Sequence, residues 1–145
     1  MKVEFRKATV EDIEAIVSLC NECFLESTTL EYARASFEKT KEDPNQIYLV
    51  GMVDGETIAH AKITIIPTMF KEMNTYAILN HVCVRKDFRR HHIASLMLEE
   101  IDSICKEMGC VSIKLWSCNF RVPAHSCYQK YGFEKIDASF FERKI

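Results

Sequence analysis

Six basic or titratable side chains lie between an apolar run and an amphipathic segment in the middle of the chain. The apolar run, residues 79–84, is typical of a buried strand, and the six that follow are Arg85, Lys86, Arg89, Arg90, His91 and His92. Apolar residues then recur every three or four positions from Ile93 to Met108, which predicts a helix. A helix start carries partial positive charge, so basic side chains crowded there indicate an anion site, such as one for a phosphate. This interpretation is favoured over a solvated basic loop.

A second group of polar side chains lies near the end of the sequence. Asn119 precedes a short predicted helix over residues 124–131, which carries His125, Tyr128 and Tyr131. Gly132 follows at the position where a helix commonly ends. The five histidines of the chain are not spaced like zinc ligands, and no acidic cluster indicates a cation site, so no metal is expected.

The pattern around these groups predicts a mixed sheet flanked by helices. Helices are predicted from Thr9, as N-cap, to Phe24 and at residues 27–39, 93–108 and 124–131; strands are predicted at residues 3–6, 47–53, 57–66, 75–84, 111–118, 133–136 and 139–143. Asp54 and Gly55 predict a two-residue hairpin turn. An antiparallel meander combined with a strand–helix–strand crossover indicates an α/β fold, expected as one domain over residues 1–145.

Composition excludes several classes of protein. The 145 residues are 48% apolar and 28% charged, which is unlike a disordered chain, and no apolar run is long enough to span a membrane. The formal net charge is −2, so general affinity for nucleic acid is not expected. Residues 1–7 do not resemble a signal peptide, which predicts a cytoplasmic location.

The seven cysteines are expected to be reduced, since their number is odd and no secretory signal is apparent. Cys20 and Cys23 form a single CxxC on the apolar stripe of the first predicted helix. They are interpreted as buried core thiols rather than as a zinc site or a redox pair.

Three segments resemble the GNAT family, the Gcn5-related N-acetyltransferases. The opening, FRKATVEDIEAIVSL, is similar to the family's first strand and helix, and residues 119–133 are similar to a second family motif. The segment Arg89-Arg90-His91-His92-Ile93-Ala94 resembles the acyl-CoA motif (Gln/Arg)-x-x-Gly-x-(Gly/Ala), with His92 in place of the usual glycine. The resemblance spans nearly the whole chain.

The resemblance implies a site for acetyl-CoA between two splayed parallel strands, here residues 80–84 and 112–117. Backbone groups of Val82, Cys83 and Val84 would pair with the pantetheine amides like an added strand. The side chain of Asn119 would contact the pantetheine arm. The N–H groups that would hold the pyrophosphate belong to Arg89, Arg90, His91, His92, Ile93 and Ala94.

The implied chemistry is direct attack of an amine on the thioester carbonyl. Tyr128 would lie near the thioester sulfur and protonate the leaving thiolate, against the alternative of a packed aromatic side chain. Tyr131 is assigned to structure or to the surface. Many members carry Glu at the position of Asn80, which cannot act as a base. His81 is a candidate base, against the alternative of a hydrogen-bonded structural histidine. Strand alternation could turn it away from the acceptor, and a water chain could serve instead.

The implied function is N-acetyl transfer to a primary amine, most simply that of a small molecule. A protein amine, at lysine or an N-terminus, is an alternative acceptor, and a non-catalytic acyl-CoA-binding or sensor module is an alternative function. The family often forms dimers, so a homodimer is also expected. The sequence does not identify the acceptor, nor does it separate acetyl from longer acyl donors.

Overall fold

The computed structural model describes residues 1–145, and all of its strands belong to one sheet in the order β1-β2-β3-β4-β5. The elements are β1 Glu4–Lys7, α1 Ile13–Phe24, α2 Leu30–Thr40, β2 Gln46–Val53, β3 Glu56–Ile66, β4 Tyr76–Val84, α3 Ile93–Glu107, β5 Ser112–Lys114 and α4 Val122–Tyr131. The first four strands are antiparallel neighbours, whereas β4 and β5 are parallel across the α3 crossover. The predicted α/β class is confirmed. None of the helices combines the length and the apolar character needed to cross a membrane.

The β2–β3 hairpin turns at the two residues predicted from the sequence. Asp54 has a φ of 49° and Gly55 a φ of 80°, which is the left-handed pair that a tight two-residue hairpin requires. Val53 consequently lies opposite Glu56, and the register runs from there along both strands, with a bulge near Gly51.

The main core forms where α3 packs on the sheet. The helix buries a stripe at the spacing expected for a 3.6-residue period: Ile93, Met97, Leu98, Ile101 and Cys105. These side chains join buried residues of β2, β3 and β4, such as Ile58, Ile63 and Leu79. Every fully buried residue of the chain lies at or before Cys105.

An ion pair between a half-exposed arginine and a buried carboxylate connects β1 to the beginning of α1. Asp12 lies in a short 3-10 turn, Val10–Asp12, and is only 6% exposed. Its carboxylate accepts hydrogen bonds from both Nη atoms of Arg6, at 2.6 and 2.9 Å, and from the backbone N–H of Thr9 at 2.7 Å. Thr9 is the N-cap residue predicted from the sequence.

β4 is irregular in two ways that shape the site. A bulge interrupts its pairing with β3, because Cys83 lies opposite His60 but Asn80 lies opposite Lys62. Two residues of β4 therefore face one residue of β3. On its other side β4 pairs with β5 only from Tyr76 to Ile78, so the rest of β4 has no strand neighbour there.

The end of the chain differs from the prediction. The strand predicted at residues 111–118 is limited to Ser112–Lys114, and the strands predicted at 133–136 and 139–143 do not form. Those two predictions were wrong because alternation specifies a strand only where a neighbour supplies ladder hydrogen bonds. Here β5 leaves β4 after three residues, and Trp116 stacks on Phe140 with ring centroids 5.1 Å apart.

Candidate functional site

The start of α3 presents a row of free backbone N–H groups. The first hydrogen bond of the helix runs from the N–H of Leu96 to the carbonyl of His92, at 3.1 Å. The N–H groups of residues 90–95 donate to no carbonyl or side chain of the protein. No side chain caps the helix, and no acidic residue lies in its first turn. The predicted residues Arg90, His91, His92, Ile93 and Ala94 therefore form a helix N-terminus open to an anion.

The loop before α3 bends through left-handed backbone. Arg90 has a φ of 65° and His92 a φ of 60°. A side chain with a Cβ atom is strained in this region, where glycine is not. The conformation of His92 accounts for the glycine that the family motif carries at the corresponding position.

Arg89 points back toward the sheet instead of toward the helix start. Its Nε donates to the carbonyl of Val84 at 2.9 Å, and its Nη2 donates to Sγ of Cys23 at 3.5 Å. Its own backbone N–H donates to the carbonyl of Lys86 at 3.3 Å. Arg89 thus fixes the loop to the end of β4, and within the predicted phosphate-binding set its N–H group is not free.

The unpaired side of β4 adjoins the loop that Arg89 fixes. Val82 lies in the bulged part of the strand, and Cys83 and Val84 are buried next to it. Across the gap, Ser117 carries a buried Oγ with no hydrogen-bond partner, in the segment where β5 has left β4. Asn119 is exposed in the turn before α4. The region therefore combines a free strand side with a buried, unsatisfied polar atom, which suits a polar extended ligand.

His81 contacts the loop that follows α1. It lies at the bulge of β4 and has a φ of 50°, so the strand alternation expected from the sequence does not hold there. Its Nε2 is 2.9 Å from Oε1 of Glu26, and its ring meets that of Phe24 edge to face, with centroids 5.0 Å apart. The side chains of His81 and Glu26 are 44% and 39% exposed, so a small molecule can reach the pair.

The two tyrosines of α4 have different environments. The hydroxyl of Tyr131 donates to Asp102 at 3.0 Å, and burial together with this bond raises its pKa to about 12. Tyr128 is half-buried against Phe133, and its hydroxyl makes no hydrogen bond to the protein. Burial raises the pKa of Tyr128, although the positive charge of Arg121 opposes the shift. Tyr128 therefore keeps its proton near neutral pH and has it free to donate.

Three side chains of this region were missed by sequence reasoning. Glu26 contacts His81 from 55 positions away, and Arg121 lies over the ring of Phe24, with its Cζ 4.7 Å from the centroid. Phe24 thus connects the base candidate on β4 to the N-terminus of α4. No local pattern indicates contacts between residues so distant in sequence.

Comparisons with known proteins agree with this geometry. The sequence matches the acetyltransferase (GNAT) family over residues 13–133, whereas no curated protein matches it. A glucosamine-6-phosphate N-acetyltransferase of Arabidopsis thaliana has the same fold, with 19% identity, a TM-score of 0.83 and coverage of 99% of each chain.

Two further solved structures have this fold. Aminoglycoside N-acetyltransferase AAC(6')-Iy in complex with CoA is 17% identical, with a TM-score of 0.85 and coverage of 99% of this chain and 95% of that chain. A transcriptional regulator of Bacillus halodurans C-125 is 24% identical, with a TM-score of 0.88 and coverage of 99% of this chain and 100% of that chain. These comparisons confirm the resemblance seen in the motifs, and the chain belongs to the acetyltransferase (GNAT) family.

Proposed function

We propose that the protein transfers an acetyl group from acetyl-CoA to the primary amine of a small molecule. The observation that carries this proposal is the row of free N–H groups at the start of α3, which opens beside the unpaired side of β4. One ligand with an anionic end and an extended amide arm matches both features. The N–H groups of residues 90–94 would hold the pyrophosphate.

The arm of acetyl-CoA would lie along the free side of Val82, Cys83 and Val84. The carbonyl of Val84 already accepts from Arg89, so we expect Val82 and Cys83 to provide most of the pairing. Ser117 and Asn119 would face the arm from the β5 side of the gap. This arrangement would direct the thioester toward α4 and its free tyrosine hydroxyl.

The reaction needs one group that removes a proton from the amine and one that returns a proton to sulfur. We assign the second role to Tyr128, because its hydroxyl is free and its raised pKa keeps it protonated. We assign the first role to His81, whose ring is oriented by Glu26. As the amine nitrogen attacks the carbonyl carbon, the C–S bond breaks and the thiolate takes the tyrosine proton.

Glu26 and Phe24 favour a small cationic acceptor. A half-exposed carboxylate next to an aromatic ring attracts an ammonium group, which must reach the site before it loses its proton. The aminoglycoside N-acetyltransferase of the same fold acts on such a molecule. A protein amine would need space for the peptide backbone on either side of it. Lysine peptides test whether the site has that space.

The first measurement is thermal unfolding with and without acetyl-CoA, with adenosine as the control. At about 100 times the Kd, acetyl-CoA adds roughly 2.7 kcal/mol, equivalent to a rise in Tm of roughly 5–10 °C. Adenosine lacks the pyrophosphate and the arm, so we expect no rise. A protein that shows no shift with acetyl-CoA contradicts the cosubstrate site.

The second measurement is release of free CoA with a panel of aminoglycosides, polyamines, amino sugars and lysine peptides. Tyr128→Phe should lower kcat by about 100-fold and leave the acetyl-CoA shift unchanged. Tyr131→Phe is the matched control, because it removes a hydroxyl committed to Asp102 and should leave kcat unchanged. Equal kcat for wild type and Tyr128→Phe would exclude the acid role. A thermal shift without CoA release from any amine would favour a non-catalytic binding module.

A further inference from the structure

Three thiols lie between α1 and β4. Cys20 and Cys83 are buried, with their Sγ atoms 4.0 Å apart, and Cys23 packs against the same cluster. Cys23 is only half-buried, unlike the fully buried thiol expected from the CxxC pattern. Its Sγ accepts a hydrogen bond from Nη2 of Arg89 at 3.5 Å, and its S–H, when present, donates to the carbonyl of Val84 at 3.9 Å.

We propose that Cys23 is a thiol–disulfide exchange site for small disulfides, with Cys83 as the resolving thiol, and that its modification closes the acetyl-CoA site. The proposal rests on a half-buried thiol that contacts a guanidinium and packs against the cluster that contains Cys20 and Cys83. The arginine in that contact is the residue that holds the anion-binding loop against β4.

The groups around Cys23 favour its thiolate. The neighbouring Cys83 thiol, together with the hydrogen bond and positive charge of Arg89, lowers the pKa of Cys23 to about 6. Burial and the negative charge of Glu22, on the same helix, oppose this shift. Contact with the neighbouring thiols Cys20 and Cys23, followed by burial, raises the pKa of Cys83. Cys23 is therefore the nucleophile of the cluster, and Cys83 remains a thiol until exchange begins.

The chemistry balances as two exchanges. The Cys23 thiolate attacks one sulfur of a disulfide RSSR, the S–S bond breaks, and a thiolate RS⁻ leaves. Cys83 then loses its proton to water and attacks the Cys23 sulfur, which forms a Cys23–Cys83 disulfide and releases the second RS⁻. Two protein thiols are oxidised and one small disulfide is reduced. The sulfurs must close to about 2.05 Å, which shifts α1 against β4.

Modification would reach the acetyl-CoA site through Arg89. A disulfide at Cys23 removes the thiolate that Arg89 contacts and changes the position of α1 beside Val84. The loop of residues 89–92 then loses one of its two anchors. This consequence rests on the proposed function, whereas the reactivity of Cys23 does not.

The test exposes the native protein to coenzyme A disulfide and, separately, to oxidised glutathione, and maps the modified thiols by peptide mass spectrometry. We expect a mixed disulfide on Cys23 that converts to Cys23–Cys83. Faster reaction with coenzyme A disulfide would mean that the neighbouring N–H row first binds the reagent; equal rates would mean that any small disulfide serves. Modification that spares Cys23, for example at exposed Cys118 alone, overturns the proposal.

The pH dependence gives a second readout that needs no variant. Between pH 7 and 8.5 the rate at Cys23 should stay nearly constant, because its thiolate is already formed. The same thiol in the urea-unfolded chain should react roughly 15 times faster at the higher pH, as an ordinary thiol of pKa about 8.5 does. A native rate that rises as steeply as the unfolded one overturns the proposal. Arg89→Gln should steepen the native profile, and Cys83→Ala should stop the reaction at the mixed disulfide.

The effect of Cys23 modification on acetyl-CoA binding is measured on the modified wild-type protein. We expect its Tm shift with acetyl-CoA to fall by at least half and to return after reduction with dithiothreitol. If the Tm shift with acetyl-CoA is undiminished after complete modification of Cys23, modification does not close the acetyl-CoA site, and that part of the proposal is wrong. If the unmodified protein shows no shift, the proposed function fails, and the mass measurement still decides the exchange chemistry.

Discussion

His81 faces the loop after α1 because of one extra residue in β4. The bulge places two residues of β4 opposite one of β3 and gives His81 a left-handed φ of 50°. Without the bulge, strand alternation would place the side chain of His81 on the same face of the sheet as the side chain two residues before it. The bulge thereby brings the imidazole of His81 to Glu26 and Phe24.

The contact of His81 with Glu26 leads to a double-variant prediction. His81→Gln should lower kcat/KM at pH 7 by about 100-fold, because the amine then loses its proton only to water. Glu26→Gln should lower it by a smaller factor, since the ring remains but loses its partner. If Glu26 acts through His81, the double variant should be no worse than His81→Gln alone. Steady-state kinetics on the three variants measures this.

The control for these variants is Glu22→Gln, an exposed carboxylate on α1 that does not contact His81. It should leave kcat/KM unchanged. If the factors by which the two single variants lower kcat/KM multiply in the double variant, Glu26 acts directly on the substrate. Full activity of His81→Gln would assign proton removal to a water chain.

Among the elements, α3 is the one whose beginning is strained. His92 adopts a left-handed conformation at its N-cap and has no side-chain cap hydrogen bond to compensate. The same geometry leaves the first N–H groups of the helix unobstructed. Stability and anion binding therefore place different demands on this one position.

His92→Gly should stabilise the protein by about 1 kcal/mol, because glycine adopts this backbone conformation without the strain of a Cβ atom. Urea unfolding with a constant m-value measures the change. His91→Gly is the matched control, since residue 91 lacks positive φ and should gain nothing. Equal destabilisation by both glycines would mean that the loop is unstrained and that the side chain of His92 contributes contacts.

The sequence specifies some elements far better than others. The stripe of α3 and the Asp54–Gly55 turn could be predicted because each depends on residues within a few positions of one another. The bulge at His81 and the short β5 depend on what lies beside the strand, which the strand's own residues do not encode. In the site, a motif indicated Tyr128 and the loop before α3. The contact of Arg89 with Cys23 joins residues 66 positions apart and has no local signal.

At the scale of the whole molecule, one buried carboxylate connects the first strand to the first helix. Asp12 accepts hydrogen bonds from Arg6 and Thr9, and the Arg6 guanidinium, more than the other contacts, holds its pKa below the usual value. A carboxyl whose pKa is lowered by folding contributes stability above its unfolded pKa of about 3.9. That contribution disappears as the pH falls through the folded value.

Asp12→Asn should therefore lower the free energy of unfolding at pH 7 by about 2 kcal/mol, the scale of hydrogen bonds to a charged group. The difference from wild type should narrow as the pH falls below about 4, because the unfolded carboxyl then binds a proton before the native one does, and it should disappear only below the lowered pKa of native Asp12. Urea unfolding at pH 7 and pH 3 measures both values. Asp54→Asn, an exposed change in the hairpin turn, is the control and should cost nothing at either pH. If the difference in unfolding free energy between wild type and Asp12→Asn stays constant with pH, the stabilisation does not come from the ionised carboxylate.

The distribution of buried residues along the chain also affects which part of the fold can open locally. No residue after Cys105 is fully buried, although side chains of β5 and α4 pack partly buried against the core. These last elements, which carry Asn119 and Tyr128, are attached through a three-residue strand and a short helix. Their local opening costs less free energy than global unfolding. We therefore expect Tyr128 to leave and rejoin the rest of the fold by local opening while the core between α3 and the sheet stays folded.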